Sequence, residues 1–427
     1  VEHRTDATDA ASPVTVEVLR RPLATAGIVA LAVLVLVFGT SATHGADPDA
    51  YDVVVVGAGP GGIGAALQAA AMGSKVALIS ESDWVGGQIT TAGVSTMDEG
   101  SIEPRKYGVY AEFVRRVTAA YDSRRKSMHT CYGSKRAICV EPSLAQRVLR
   151  QMVDMYTGIT LITKTKVTAV SKSKETVTGV QTDTGRLLKS HVVIDASEYG
   201  DVLPLADATY RIGNGTSAEP PADTACVQDF TYTAVIRRYP KGTPSSLILK
   251  KPPPGYTAKL AAGFATAVAA NGLDLQPGYP SPWNWTAFIS YRGMPDSAGK
   301  KPYNPETDGG RGITRSSINH QANDRPVSVK FIEDPVFRAK TICEAKLMTL
   351  RFLYYLQHDL GHTDWSIAND EGYDKLGNVK GRHCPLLKGY EAIEKHFPLE
   401  PYVRESRRLV GVETLTGRDV YRNGSQN

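Results

Sequence analysis

Four consecutive valines, Val53–Val56, follow a polar stretch and run directly into Gly57-Ala-Gly59-Pro-Gly61-Gly62. A β-branched apolar run of this kind suits a parallel strand buried on both faces. Ile63–Met72 is rich in alanine and predicts a helix, which Gly73 ends, and Lys75–Ser80 (KVALIS) reads as a second strand. Further on, Thr163–Lys172 and Thr176–Thr182 alternate apolar and polar positions, with Asp183-Thr184-Gly185 as a hairpin turn. Leu187–Ala196 is a third strand-like run, and Thr160–Ile194 as a whole predicts a meander and a returning strand. Between these, Glu141-Pro142-Ser143 starts a helix reaching about Tyr156, with Ser143 and Gln146 placed as a capping box. Pro335–Leu360 predicts a long helix whose apolar face carries Ile342, Leu347, Leu350, Leu353 and Leu356. The pattern is that of an α/β protein.

The glycine loop brings in chemistry. Gly57 permits a tight turn, Gly59 lets the backbone approach a pyrophosphate, and Gly62 allows close packing of helix and strand. The free N–H groups and the dipole at the helix start then face the anion. A lone GxGxxG is also met in ordinary strand–turn–helix connections, so its setting matters. Glu81 falls nineteen residues after Gly62, at the end of the second strand, where a carboxylate accepts ribose hydroxyls. An acidic residue there repels a 2′-phosphate and disfavours NADP. A second glycine pair follows in Trp84-Val-Gly86-Gly87-Gln88.

Several segments narrow the picture. The doublet close behind the acidic residue resembles that of two-domain flavoproteins of the glutathione-reductase-like superfamily. "GGQITTAGVSTMDE", "EPSLAQRVL", "IDASEYGDVLPLA", "RFLYYLQ" and "YVRESRRLVG" resemble the FAD-dependent oxidoreductase family, some of whose members are labelled xanthan lyase. These blocks occur in the family's order across roughly residues 52 to 420. The resemblance implies FAD and redox chemistry on a small-molecule substrate, without naming the substrate. It implies a Rossmann-like FAD-binding domain with a β-meander over 49–205 and an inserted α+β substrate domain over 206–400. Residues 401–427 would then begin the return to the first domain, with the family's C-terminal part lacking. The implied cofactor contacts are Gly57, Gly59, Pro60, Gly61, Gly62, Glu81, Ser82, Gly86, Gly87, Gln88 and Val167, together with Ala196 and Ser197 in the DAS turn. Two alternatives stand beside this reading: a non-catalytic remnant of the same fold, and an NAD-linked Rossmann enzyme.

Length and composition set outer bounds. The chain has 427 residues, 42% of them hydrophobic and 22% charged, with a net charge of +5. These are ordinary globular values and allow two domains with a sizeable core. The basic residues lie in short clusters such as Arg124-Arg125-Lys126, with no aromatic-interleaved stripe, which argues against a nucleic-acid partner. No spacing specifies an oligomeric state. At the N-terminus, Arg20-Arg21 precedes the apolar run Leu23–Phe38 and the small residues Gly39–Ala42. This order predicts that residues 1–48 are a signal peptide, or an anchor through 23–42, and that the protein is exported. Among the five cysteines, Cys131 and Cys139 are close enough to pair, while Cys226, Cys343 and Cys384 stand alone. Asn214, Asn284 and Asn423 begin glycosylation sequons.

Catalytic candidates are fewer. Glu198 and Asp201 sit in the turn expected near the flavin, with capping of the following segment as the plainer role. His320, with Asn323 and Asp324 in "INHQANDRP", could serve a substrate as base and hydrogen-bond partners, or form a surface loop. No metal site is expected: His358 and His362 have helical spacing but lack the glutamate of a zinc protease motif. No redox cysteine spacing or second dinucleotide loop supports a disulfide reductase.

Overall fold

The computed structural model describes residues 47–132, 136–213, 226–270, 285–297, 312–376 and 383–413. The N-terminal apolar run and its arginine pair, the three sequons and the last fourteen residues lie outside the described residues. Among the described residues no helix is long and apolar enough to cross a membrane.

The glycine loop joins strand β1 (Ala50–Val56) to helix α1 (Pro60–Ala71), and β2 (Val76–Ile79) follows. Next come β3 (Thr96–Met97), α2 (Gly108–Asp122), β4 (Ile138–Cys139) and α3 (Pro142–Asp154). Then β5 (Ile159–Ile162), β6 (Val167–Ser173), β7 (Thr176–Thr182) and β8 (Leu187–Asp195) complete a six-stranded sheet of order β5-β2-β1-β8-β7-β6. β5, β2, β1 and β8 run parallel, with Val53 opposite both Val76 and Val192, while β8, β7 and β6 pair antiparallel. The valine run is buried on both faces because the sheet is covered on both. Val55 and Leu78 pack with α1, α2 and α3, whereas Val54, Val56 and Ile79 pack with Val167, Val180 and Val202.

Two local expectations change. The strand predicted to start at Thr163 starts at Val167, because Lys164 takes a positive φ of 52° and turns the chain. The residues before that turn form β5, a fourth parallel strand. The capping box at Ser143 and Gln146 is absent. Glu141 is the N-cap of α3, no side chain caps it from within, and the Ser143 N–H donates to Glu371 Oε2 at 3.0 Å. A distant carboxylate therefore satisfies this helix start.

Beyond β8 the elements are short: α4 (Val202–Leu205), β9 (Tyr210–Arg211), β10 (Val227–Thr231) and β11 (Ala234–Arg238). They continue as α5 (Ala258–Ala270), α6 (Trp285–Tyr291), β12 (Arg315–Ile318), β13 (Asp324–Val327) and α7 (Val329–Glu333). The long helix α8 (Pro335–His358) is followed by β14 (Trp365–Ile367), α9 (Glu391–Glu394) and β15 (Arg408–Leu409). β12, β11 and β14 form one small sheet, β10 and β13 another. α8 starts where Asp334 accepts the Val336 and Phe337 N–H groups at 2.9 and 3.0 Å. Its Leu347, Leu350, Leu353 and Leu356 enter the largest apolar cluster among the described residues, at about 1.5–3 kcal/mol of burial each.

Two disulfides are present. Cys131 pairs with Cys139 as expected, and Cys343 on α8 pairs with Cys384, correcting the expectation that both stand alone. The fold brings together two cysteines separated by 41 positions, which local spacing does not reveal. Cys226 is exposed and lies outside both bridges. A buried hub centres on Arg315, only 1% exposed, whose guanidinium meets Glu371 at 2.5 Å and Asp370 at 2.7 Å. Asp296 at 3.4 Å and Glu141 at 3.5 Å complete it. Burial opposes the charge on Arg315, but these carboxylates, Glu371 first, hold it protonated.

Candidate cofactor site

The glycines of the first loop divide by what surrounds them. Gly57 has a φ of 100°, and a Cβ there would lie 2.3 Å from the Ala196 carbonyl oxygen. A Cβ on Gly62 would lie 1.9 Å from the Gly57 carbonyl oxygen. These two allow the turn to pack on β8 and on itself. A Cβ on Gly59 would touch only the Glu198 side chain, at 3.2 Å, and one on Gly61 would meet nothing within 4 Å. Gly59 is the N-cap of α1, and no side chain caps the helix. The open side of the loop thus presents free N–H groups to a cleft. The second glycine pair closes against the first: the Gly86 N–H donates to the Ala58 carbonyl at 2.7 Å, and Gly87 takes a φ of 50°.

A cavity of about 140 Å³ opens there. Among the residues expected from the sequence, Gly57, Gly59, Glu81, Ser82, Gly87, Val167, Ala196, Ser197, Glu198 and Asp201 line it. Pro60, Gly61, Gly62, Gly86 and Gln88 are not among the residues that line it. The Gln88 side-chain amide donates to the Val403 carbonyl at 2.9 Å, tying the second glycine loop to a segment 315 positions later. Ser82 Oγ donates to the Trp84 carbonyl at 2.7 Å, and Ser197 Oγ to Asp195 Oδ1 at 2.7 Å, so both hold turns.

Four carboxylates reach the cavity in different states. Burial would raise Asp201, but hydrogen bonds from Arg338 (2.8 and 3.0 Å) and Arg407 (2.6 Å) hold it below the usual range. It is an ion-pair centre, and the Val202 N–H at the start of α4 is taken by Asp195 Oδ2 at 3.1 Å. Glu81 is raised by burial first, with Lys166 opposing, and no hydrogen-bond donor among the described residues reaches its carboxylate. Glu400 is raised by burial although Thr91 Oγ1 donates to it at 2.7 Å. Glu198 is pushed up to about 7 by burial first and by Glu400 second. Glu400, Arg338 and Lys166 were not expected from the sequence, because they lack motif spacing and arrive only through tertiary contacts.

His320 lies away from this cavity. It is buried, 4% exposed, and caps a turn between β12 and β13 by accepting the Ala322 N–H at 3.0 Å on Nδ1. Asn323 closes the reciprocal bond to the His320 N–H at 3.0 Å, and Phe288 and Phe352 pack beside the ring. Burial lowers His320 to about 4. The segment is thus interior and not a surface loop. A wider cavity of about 800 Å³ lies along β3, between Met97–Ile102 and Arg292. Arg292 Nη1 donates to Thr96 Oγ1 at 2.6 Å and to the Tyr132 hydroxyl, and its guanidinium lies over the Tyr291 ring at 4.4 Å. Among the described residues, His358 and His362 do not form part of any group able to hold a metal; the His362 ring stacks on Trp285 at 3.7 Å.

A parallel strand, a glycine turn with an uncapped helix N-terminus, and an unpartnered carboxylate at the next strand end define a Rossmann-like dinucleotide-binding protein. The chain belongs to the FAD dependent oxidoreductase family, whose pattern matches residues 52–427. A 43-residue stretch, 10% of the chain, is 56% identical to the soluble pyridine nucleotide transhydrogenase of Hahella chejuensis, covering 9% of that protein. Among solved structures, the chain is similar to L-proline dehydrogenase from P. horikoshii, at 14% identity and a TM-score of 0.32 over 46% of this chain and 62% of that one. It is also similar to pqsL, a probable FAD-dependent monooxygenase from Pseudomonas aeruginosa, at 15% identity and a TM-score of 0.26 over 46% and 52%. The chain spans less than two thirds of the length of each of these proteins. The family is one of oxidoreductases that use FAD.

The residues present fit that group. Gly59 and Gly61 leave the loop open to a diphosphate, the α1 N-terminus faces it, and Glu81 lacks the donors that ribose hydroxyls supply.

Proposed function

We propose that this protein is an exported oxidoreductase that transfers reducing equivalents between FAD and a small organic substrate. Bound flavin supplies the hydride chemistry. The chain's own residues bind and orient: Gly59 and the α1 N-terminus take the diphosphate, Glu81 the ribose, and Val167 and Ala196 flank the adenine half. The substrate's place in this reading is the wider cavity beside Arg292, Tyr132 and Tyr291. Thr91 lines one cavity and Met97 the other, and six residues of chain span at most about 20 Å. An arginine held by hydroxyls and aromatic faces suits a substrate carrying a carboxylate or several hydroxyls. Two disulfides agree with an oxidising compartment and support export, as does the order of charge and apolarity before residue 46.

The observation that carries the reading is the open glycine cradle against an uncapped helix start. The test is the visible absorption spectrum of the purified chain, with the nucleotide released on denaturation identified. An oxidised-flavin spectrum and released FAD are expected, with bleaching when the substrate donates electrons. A colourless protein that takes up no FAD on reconstitution would sink the reading.

A further inference from the structure

The Glu198 side chain lies across the glycine cradle. Its Oε1 is 3.2 Å from the position a Cβ on Gly59 would take and 2.7 Å from that on Gly87. Both glycine loops thus converge on this one carboxyl oxygen, in the space that the open side of Gly59 offers to a diphosphate. No hydrogen-bond donor among the described residues reaches the carboxyl group, unlike Glu400, which Thr91 holds. A diphosphate seated on the open side of Gly59 would meet this carboxyl, so the side chain must yield to it.

We propose that Glu198 is the residue that yields, and that it does so by taking up a proton, so that loading of the dinucleotide diphosphate is coupled to protonation of this carboxyl. The inference rests on the FAD reading of the cleft. An anionic diphosphate and a carboxylate within one glycine cradle repel each other, and the neutral acid removes that repulsion and can donate to a phosphate oxygen. The surrounding charges lean the same way. Glu400 lines the same cavity and its charge raises Glu198, Glu81 stands just past β2, and Asp201 is already neutralised by Arg338 and Arg407. Lys166 acts on Glu81, Arg338 is engaged by Asp201, the buried Tyr199 phenol is neutral, and the α1 N-terminus favours the carboxylate. The carboxyl already titrates at about 7 without a phosphate beside it, so it is charged at pH 8 and largely neutral at pH 6. The proton comes from solvent, and no bond other than O–H is formed.

The test is calorimetric titration of the full chain, freed of nucleotide, with FAD and separately with ADP-ribose, whose diphosphate is likewise a diester that does not titrate in this range, at pH 6 and pH 8. Buffers of different ionisation enthalpy report the protons taken up. Close to one proton per nucleotide is expected at pH 8, with binding about tenfold weaker than at pH 6. Glu198→Gln, which keeps the shape of the side chain, should bind both ligands with that proton uptake and that pH dependence lost. Binding by the wild-type chain without proton uptake at pH 8 overturns this inference and leaves the FAD reading standing. So does a Glu198→Gln variant that keeps the wild-type pH dependence. Failure of both proteins to bind either nucleotide at either pH overturns the FAD reading, and this inference with it.

Discussion

An added methyl group at Gly57 meets a backbone oxygen at 2.3 Å and one at Gly62 meets another at 1.9 Å, whereas at Gly59 the only neighbour is a side chain that can move. Substitutions within one motif should therefore separate. Gly57→Ala and Gly62→Ala must displace backbone, and each should cost about 3 kcal/mol of stability, read by thermal or denaturant unfolding. Gly59→Val should unfold near the wild-type midpoint but retain no FAD, since its side chain fills the approach to the helix start. Equal flavin content in Gly59→Val and the wild-type chain would refute the cradle. Glu81→Ala should weaken FAD binding by about 1.5–3 kcal/mol, the worth of hydrogen bonds to a charged acceptor, in a fluorescence titration. These glycines and Glu81 are legible in the sequence because strand, turn and helix lie within thirty residues. Glu400 and Arg338 are not, because nothing local marks a residue that reaches the site from another part of the chain.

At the scale of single elements, the turn after β12 shows how a candidate base becomes a cap. His320 accepts a backbone N–H from its own turn and packs between phenylalanines, so its imidazole is kept neutral and lowered to about 4. An unfolded imidazole titrates near 6.5. As pH falls through 6.5 the unfolded chain takes up the proton first, so this contribution is intact above pH 6.5. It is lost progressively toward pH 4, by about 3 kcal/mol in all. Unfolding free energies measured between pH 7 and pH 4 should show this slope, and His320→Asn should flatten it while keeping an acceptor in the turn. An unchanged slope in the variant would place the titration elsewhere. The sequence "INHQAND" carries the cap signature as plainly as it carries a possible base. Burial decides between them, and burial of so polar a segment comes from α8 and α6, which no local pattern places over it. Helix α3 teaches the same lesson in reverse. Its start was readable, but its capping partner, Glu371, is 228 positions away from Ser143.

For the molecule as a whole, the two disulfides constrain loops of different length, 8 and 41 positions. In the chain-entropy account, bridging the longer loop restricts the unfolded chain more, about 4 kcal/mol against about 2.5 kcal/mol. Cys343→Ser/Cys384→Ser should therefore lower the unfolding free energy more than Cys131→Ser/Cys139→Ser. The reverse order would show that native packing around the shorter bridge outweighs the entropy of the longer loop. The parallel sheet and the long helix were legible because their periodicities are local. The second bridge and the Arg315 hub were not, because each is assembled from segments far apart along the chain. The hub has a consequence for how the protein is made. Glu141 leaves the ribosome some 170 residues ahead of Arg315, and the carboxylate that satisfies the start of α3 follows only after both. Until then the nascent glycine-loop half carries a helix without its cap and an acidic side chain without its counter-ion. It should thus stay open to chaperones until the remainder of the chain emerges to close it.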